Sequence, residues 1–184
     1  CLPSVELSTF QLGEALKAKL SQGGCAAVIC NTVRRCQAVY TALKQLMPVS
    51  ELFLFHSQYM FKDRQSREHQ VLQWFGKDRS HRPGRKVLVA TQVIEQSLDI
   101  DFDLMVTDMA PIDLILQRAG RLHRHAVEQS SRPATLRMPE LWIVRAESVV
   151  NGVPQFDSGT EAVYRSTGHI LFRSWLTIKD THSI

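Results

Sequence analysis

Arg121, Arg124 and Gln117 are the residues of this chain best equipped for phosphate chemistry. The two arginines lie in QRAGRLHRH (117–125). A guanidinium is planar, permanently charged and multidentate, which suits phosphate oxygens. On a helix turning about 100° per residue, Gln117, Arg121 and Arg124 fall within about 60° of one another. Ile112, Ile115, Ala119 and Leu122 fall on the opposite side and should pack against a sheet. Arg118 lies to one side of the polar face, which suits a supporting role such as an internal ion pair. Gly120 in mid-helix costs roughly 1 kcal/mol relative to Ala, so close approach of another backbone is expected there.

A second string, VLVATQVIEQSLDIDFD (87–103), places Thr91, Gln92, Ser97 and Asp99 just after an apolar strand. Other strand exits carry Asn31 and Thr32, His56 and Ser57, and Asp108. Open parallel sheets bind ligands beyond the carboxyl ends of their strands, so these residues should form a polar crest. His56, Asp63 and Asp108 suit structural roles equally well.

These residues need a scaffold of alternating strands and helices. Ser8 with Gln11 resembles a capping box. Phe10, Leu12, Leu16 and Leu20 give an amphipathic helix that stops at Gly23-Gly24. CAAVIC (25–30) is a continuous apolar run, as in a strand buried on both faces. Thr32 caps a helix carrying Cys36, Val39, Leu43 and Leu46, which Pro48 ends. ELFLFH (51–56) is a second strand, and Asp63 caps a helix with Val71, Trp74 and Phe75. KDRSHRPGRK (77–86) reads as a solvated, mobile basic loop. KVLVAT (86–91), LMVTD (104–108) and ELWIVRA (140–146) complete the strands, with a short helical segment near Val93–Leu98 and a longer helix opened by Pro111. The pattern predicts an α/β fold, a doubly wound and mainly parallel sheet, over 1–146. Residues 147–184 read as an extension. VVNGVPQFDSG is a loop or small hairpin, and EAVYRSTGHILFRSWL is partly helical and packs on the core or leads to a further domain. Trp142 and Trp175 suit core or interface anchors.

The chain has 184 residues, a net charge of +4 and 44% hydrophobic residues, enough for one domain with a real core. It holds no apolar run of about 18 residues, so no transmembrane helix and no membrane partner are expected. The four cysteines (Cys1, Cys25, Cys30, Cys36) form no Cys-x-x-Cys pair and read as reduced core residues of a cytoplasmic protein. His123 and His125 have no evident carboxylate or cysteine partner, so no metal site is expected.

VLVATQVIEQSLDIDFD resembles motif V, and QRAGRLHRH motif VI, of superfamily-two helicases. VICNTVRRCQAVY resembles motif IV, and LFHSQYMFKDRQSRE the adjoining backbone-contacting segment. The four stand in family order across residues 25–125. ATQVIEQSLDIDFD, then DLILQRAGRLHRH, then the Trp-rich tail, are similar to the CRISPR-associated helicase–nuclease of type I interference systems. Ser97, where most of the superfamily has Gly, fits that family, and Gln117, where many RNA helicases carry His, leans away from the DEAD-box group.

The resemblance implies a RecA-like second motor domain. It makes Arg121 and Arg124 arginine fingers, places Gln117 near the γ-phosphate or the attacking water, and sets Asp99 on the ribose hydroxyls with Arg118 in support. Asn31, Thr32, Ser57, Thr91 and Gln92 become nucleic-acid contacts. It further implies ATP and Mg²⁺ held mainly by the first RecA-like domain, and 3′-to-5′ movement on single-stranded DNA. A separate nuclease domain would use a divalent metal, and the partner would be an RNA-guided CRISPR surveillance complex. Two alternatives stay open. One is the motor domain of another superfamily-two RNA or DNA helicase. The other is a non-catalytic nucleic-acid-binding module.

The chain contains no G-x-x-x-x-G-K-[ST] phosphate loop and no Asp-Glu strand pair, which a complete nucleotide site requires. The isolated chain should therefore show no appreciable ATPase activity. DNA-stimulated phosphate release by the purified chain would overturn the half-site reading.

Overall fold

The computed structural model describes residues 9–95, 98–144 and 146–179. Cys1, Ser8 and Ser97 lie outside them. Five parallel strands form one sheet: β1 (Gly24–Ile29), β2 (Leu52–Phe55), β3 (Arg85–Ala90), β4 (Leu104–Thr107) and β5 (Glu140–Ile143). Their spatial order is β2-β3-β1-β4-β5. The most apolar run of the chain, β1, takes the centre, and all six of its residues are buried.

Because strand residues alternate between faces, β1 feeds two cores. Ala26, Val28 and Cys30 join Leu12 and Leu16 of α1 (Thr9–Lys19), Leu20 just after it, and Cys36, Val39 and Leu43 of α2 (Val33–Leu43). Cys25, Ala27 and Ile29 face the other way, onto Val71 and Phe75 of α3 (Phe61–Phe75). Helices thus cover both faces, and the expected α/β parallel architecture is present. The buried, free Cys25, Cys30 and Cys36 are core residues, and Trp142 is packed in the α1–α2 core.

Several local expectations need correction. Phe10 is exposed although α1 forms; three leucines suffice to seat that helix. Helix α2 stops at Leu43, ahead of Pro48, which instead precedes a 3₁₀ turn at Val49–Glu51. Helix α3 is capped by Met60, so Asp63 lies within its first turn rather than at the cap. Thr32 does cap α2, its Oγ1 accepting the Arg35 N–H at 3.2 Å. The Gly23-Gly24 stop is a steric requirement. Both residues have positive φ (95° and 110°), and a Cβ on Gly23 would meet the Gly84 carbonyl at 2.6 Å.

The basic loop before β3 is not a free solvated segment. Arg82 donates to Asp103 Oδ2 at 3.0 Å and to the Asp101 carbonyl at 2.9 Å. Arg79 reaches Asp101 Oδ2 at 3.3 Å. Arg132 grips both Asp101 oxygens (3.0 and 2.9 Å) and Asp103 Oδ1. Asp103 also accepts the Cys25 N–H at 2.7 Å, which pins this cluster beneath the start of β1. Asp101, Asp103 and Arg132 are all buried. The DIDFD string held a signal for this. Alternate positions of an extended segment share a face, so Asp101 and Asp103 enter the interior together and demand cations.

The extension packs as a third core. The hairpin of β6 (Ser148–Val150) and β7 (Val153–Gln155) turns at Asn151-Gly152, both at positive φ (51° and 80°), the backbone that a two-residue hairpin loop favours. Helices α5 (Ser158–Val163) and α6 (Gly168–Ile178) bring Tyr164, Leu171 and Trp175 against Ile143 of β5 and Ile115. No helix among the described residues is long and apolar enough to cross a membrane.

Removing one member of the buried cluster strands its partners' charge, which typically costs about 3–5 kcal/mol. Arg132→Ala should lower the melting temperature of the chain by many degrees. Burial works to raise the Asp103 pKa, but Arg82, the Cys25 N–H and Arg132 outweigh it, and the carboxyl titrates below its ordinary value of 3.8. A depressed pKa contributes stability that is present above the ordinary value and lost as pH falls through the folded one. Thermal melts should therefore show a steep loss of stability below about pH 4, and Asp103→Asn should flatten that acid limb.

Candidate nucleotide and nucleic-acid site

The candidate residues gather at two opposite ends of the sheet. Ile29, Phe55, Ala90 and Thr107 close their strands in register, so Asn31, His56, Thr91 and Asp108 all emerge at the carboxyl end. Asp99 precedes β4, and Arg121 and Arg124 follow α4 (Ile112–Ala119), which runs back from the carboxyl end. The Phe102 N–H donates to the Arg121 carbonyl at 3.0 Å, and the His123 N–H returns to the Phe102 carbonyl at 3.1 Å. The arginines therefore sit beside the amino end of β4, away from the crest.

Helix α4 opens after Pro111, as its sequence suggests, but ends at Ala119 with Gly120 as its cap. Arg121 and Arg124 lie beyond it, and His123 has φ of 46°. The helical-face argument for these arginines does not hold. A short parallel bridge between Leu122 and Phe102 takes over as their support. The expected close backbone approach at Gly120 is also absent; an added Cβ would meet only its own turn's carbonyl oxygens, at 3.5 and 3.6 Å. Ile115 is buried, but against the third core of the C-terminal extension as well as β5.

A different geometry brings the arginines together. Arg121 Nη1 donates to the Leu98 carbonyl. Arg124 Nε donates to Asp99 Oδ1 at 2.7 Å, and His125 Nε2 approaches the same oxygen at 3.0 Å. The two guanidiniums thus grip adjacent residues, Leu98 and Asp99, within the strand-exit string. The Asp99–Arg124 pair is about half exposed on both sides. Hydrogen bonds from His125 and then Arg124 hold the Asp99 carboxyl below its ordinary pKa, so it is an anion at neutral pH. Gln117 is exposed on α4, away from the buried face. Arg118 is fully buried, donating from Nη1 to Thr107 Oγ1 (2.5 Å) and to the Asp108 carbonyl (3.3 Å). It links α4 to the end of β4 rather than facing ligand.

At the crest, the structure divides the expected contacts. Ser57 is exposed in the turn after β2. Thr91 is buried, and its Oγ1 has no hydrogen-bond partner among the described residues. Gln92 donates to the Asn31 carbonyl at 3.2 Å. Asn31 itself is 4% exposed and fully engaged within the protein. Its Nδ2 donates to the Met109 carbonyl (2.8 Å) and Thr160 Oγ1 (3.0 Å), and its Oδ1 accepts from Tyr164 (3.4 Å). The side chain expected to touch nucleic acid instead ties β1 to the C-terminal extension. Thr32 spends its hydroxyl on the α2 cap, and Gly159 approaches it so closely that a Cβ there would lie 2.9 Å from Thr32 Cγ2. Asp108 couples elements: it accepts from Arg35 Nε at 2.6 Å and from the Asn31 N–H at 3.0 Å. Burial pushes its carboxyl above the ordinary range, against the pull of Arg35. His56 is stacked on Tyr59 with ring centroids 4.4 Å apart, and burial, with Arg67 beside it, lowers its pKa.

The sequence held no motif for Arg132 and assigned no role to His125 at the end of QRAGRLHRH, yet both support this end of the molecule. Arg132 lies in a segment of 3₁₀ turns. His125 carried only a weak metal-spacing signal, and its partner is Asp99.

A five-stranded parallel sheet with helices on both faces, carrying motif V and VI residues before β4 and after α4, defines the C-terminal RecA-like domain of a helicase. Residues 22–127 match the family described as CRISPR-associated nuclease/helicase Cas3, C-terminal. The chain belongs to that family. It is 38% identical over 172 residues to the CRISPR-associated endonuclease/helicase Cas3 of Escherichia coli (strain K12), covering 92% of this chain and 19% of that protein. It also resembles the T. fusca Cas3–AMPPNP crystal structure, with a TM-score of 0.83 and 36% identity over 96% of this chain and 20% of that one. A chain in a CRISPR RNA-guided surveillance complex, described as pre-nicking, matches with a TM-score of 0.74 and 37% identity, over 90% of this chain and 20% of its own. The chain thus spans about one fifth of the length of these relatives.

Truncating Asn31 leaves the Met109 carbonyl after β4 and Thr160 of α5 short of a partner, a loss of about 1–3 kcal/mol. Asn31→Ala should increase amide hydrogen exchange in α5 and α6 while the centre of β1 remains protected. Uniform exchange across the chain would argue against this tether.

Proposed function

We propose that this chain is the second motor domain of an ATP-driven, single-stranded-DNA translocase that works with a nuclease in type I CRISPR interference. The observation that carries the proposal is the convergence of Arg121 and Arg124 on Leu98 and Asp99, at the opposite end of the sheet from Thr91, Gln92 and Ser57. One end carries the groups for a nucleotide, and the other carries those for a nucleic-acid backbone.

The donor set fits a nucleotide. Asp99 Oδ1 is taken by Arg124 and His125, while Oδ2 accepts no hydrogen bond among the described residues. A half-exposed carboxylate with one oxygen to spare suits a ribose hydroxyl pair. Arg124 is held by an exposed ion pair, which salt and solvent weaken, so it can exchange Asp99 for a phosphate. Arg121 and Arg124 then act as arginine fingers across the cleft to the first RecA-like domain, and Gln117 approaches the γ-phosphate or the attacking water. Bound ATP with Mg²⁺ supplies the phosphoryl group, and the fingers stabilise the charge that spreads over it in the transition state. Arg118 supports the site through its links to Thr107 and the Asp108 carbonyl.

At the crest, Ser57, Gln92 and the Thr91 hydroxyl, which has no hydrogen-bond partner among the described residues, contact phosphates of single-stranded DNA. Contacts of that kind set position without reading bases, as a translocating motor needs. Asn31 and Thr32 act behind them, fixing the β1–α2 turn. The relative in the RNA-guided surveillance complex supports such a complex as the partner. Cutting of DNA belongs to a nuclease domain with its own divalent metal, elsewhere in the full-length protein, and the expected setting is the cytoplasm. We assign residues 1–146 to the motor domain and 147–184 to an extension, whose helices α5 and α6 pack on it.

In the full-length protein, Arg121→Ala should lower DNA-stimulated ATP turnover by about 10³–10⁵ while single-stranded-DNA binding is kept. Survival of turnover together with loss of DNA binding would show that Arg121 serves the track and not the nucleotide.

A further inference from the structure

We propose that His125 is a positioning residue of the nucleotide site, holding Asp99 so that its second carboxylate oxygen faces the ribose. The proposal rests on the reading of Asp99 as the ribose ligand.

Asp99 needs such a support. It is the most exposed carboxylate of the arginine cluster, and it precedes β4 in a segment without regular structure. Its bond to Arg124 cannot hold it during turnover, because the same guanidinium is required at the phosphate. His125 Nε2, 3.0 Å from Oδ1, is the remaining side-chain partner among the described residues.

His125 is itself firmly placed. Its side chain is 10% exposed, against 55% for Asp99. Its backbone N–H points to Asp101 Oδ1 at 3.4 Å, and Asp101 is gripped by Arg132 and Arg79. Its Nδ1 is buried and has no hydrogen-bond partner among the described residues, so Nε2 is the ring nitrogen that bonds. A rigid line therefore runs from the buried arginine–aspartate cluster, through Asp101 and His125, to Asp99. It ends on Oδ1 and leaves Oδ2 without a hydrogen bond among the described residues.

The line predicts a discrimination that a merely structural histidine would not affect. If Asp99 is held for the ribose hydroxyls, loss of its support weakens nucleotides that have those hydroxyls and spares those that lack them. The test is steady-state, DNA-stimulated hydrolysis of ATP and of 2′,3′-dideoxy-ATP by the full-length protein. His125→Ala should reduce the ratio of kcat/KM for ATP to that for the dideoxy nucleotide by about tenfold, the scale of one hydrogen bond to a charged group, mainly through KM for ATP. His125→Gln, whose amide N–H can stand near Nε2, should restore the ratio. An equal loss on both nucleotides, or an unchanged ratio, overturns the proposal. Asp99→Ala separates the two levels. If it collapses the ratio and His125→Ala does not, the positioning role fails and the ribose reading stands. If Asp99→Ala leaves the ratio intact, the ribose reading fails and the His125 proposal falls with it.

Discussion

The buried pairing of Asp101 and Asp103 with Arg82 and Arg132 is the constraint on which the functional half of the structure depends. Two carboxylates enter the interior just before β4, and neither could remain there ionised without matched cations and N–H donors. The donors come from three places far apart in the chain: the loop before β3, the start of β1 and the 3₁₀ segment after the arginine string. Meeting that demand draws these segments together beneath the sheet. It also fixes the stretch from Leu98 to Asp103, on which Arg121, Arg124 and His125 rest.

A second polar junction works at the other end. Asn31, Asp108, Arg35 and Thr160 join the exits of β1 and β4 to α2 and α5, while Arg118 reaches the same place from α4. The crest is therefore braced by side chains that sequence position alone would assign to ligand. The proposed motor role would need this division: groups that meet phosphate must be reachable, and the backbone presenting them must be held in place.

Much of the fold was legible in the chain. The central strand was a continuous apolar run, the α2 cap was a threonine in the right place, and Asn-Gly marked the hairpin. The motif strings placed the chain among helicase C-terminal domains. Less legible were the roles of single polar residues, because strand exits are polar whether they bind or brace. Asn31 and Ser57 stand at equivalent exits, and only their neighbours distinguish a buried tether from an exposed hydroxyl. The helix read through Arg124 failed because the periodic apolar pattern continues through Leu122. The backbone leaves the helix at Gly120 to pair with Phe102, and that partner is remote in sequence.

Residue types and order alone thus determined the class of fold, the family and the chemical kit: two guanidiniums, a carboxylate and a row of small polar side chains. Tertiary structure decided their arrangement. It set the Arg121–Arg124–Asp99 cluster and the crest at opposite ends of the strands, turned Asn31 and Arg118 inward, and gave Asp99 a histidine partner. The physical reason is that local sequence encodes periodicity and capping, which act over a few residues. The satisfaction of a buried charge or amide is settled by whatever the folded chain brings within about 3 Å, however distant it is along the chain.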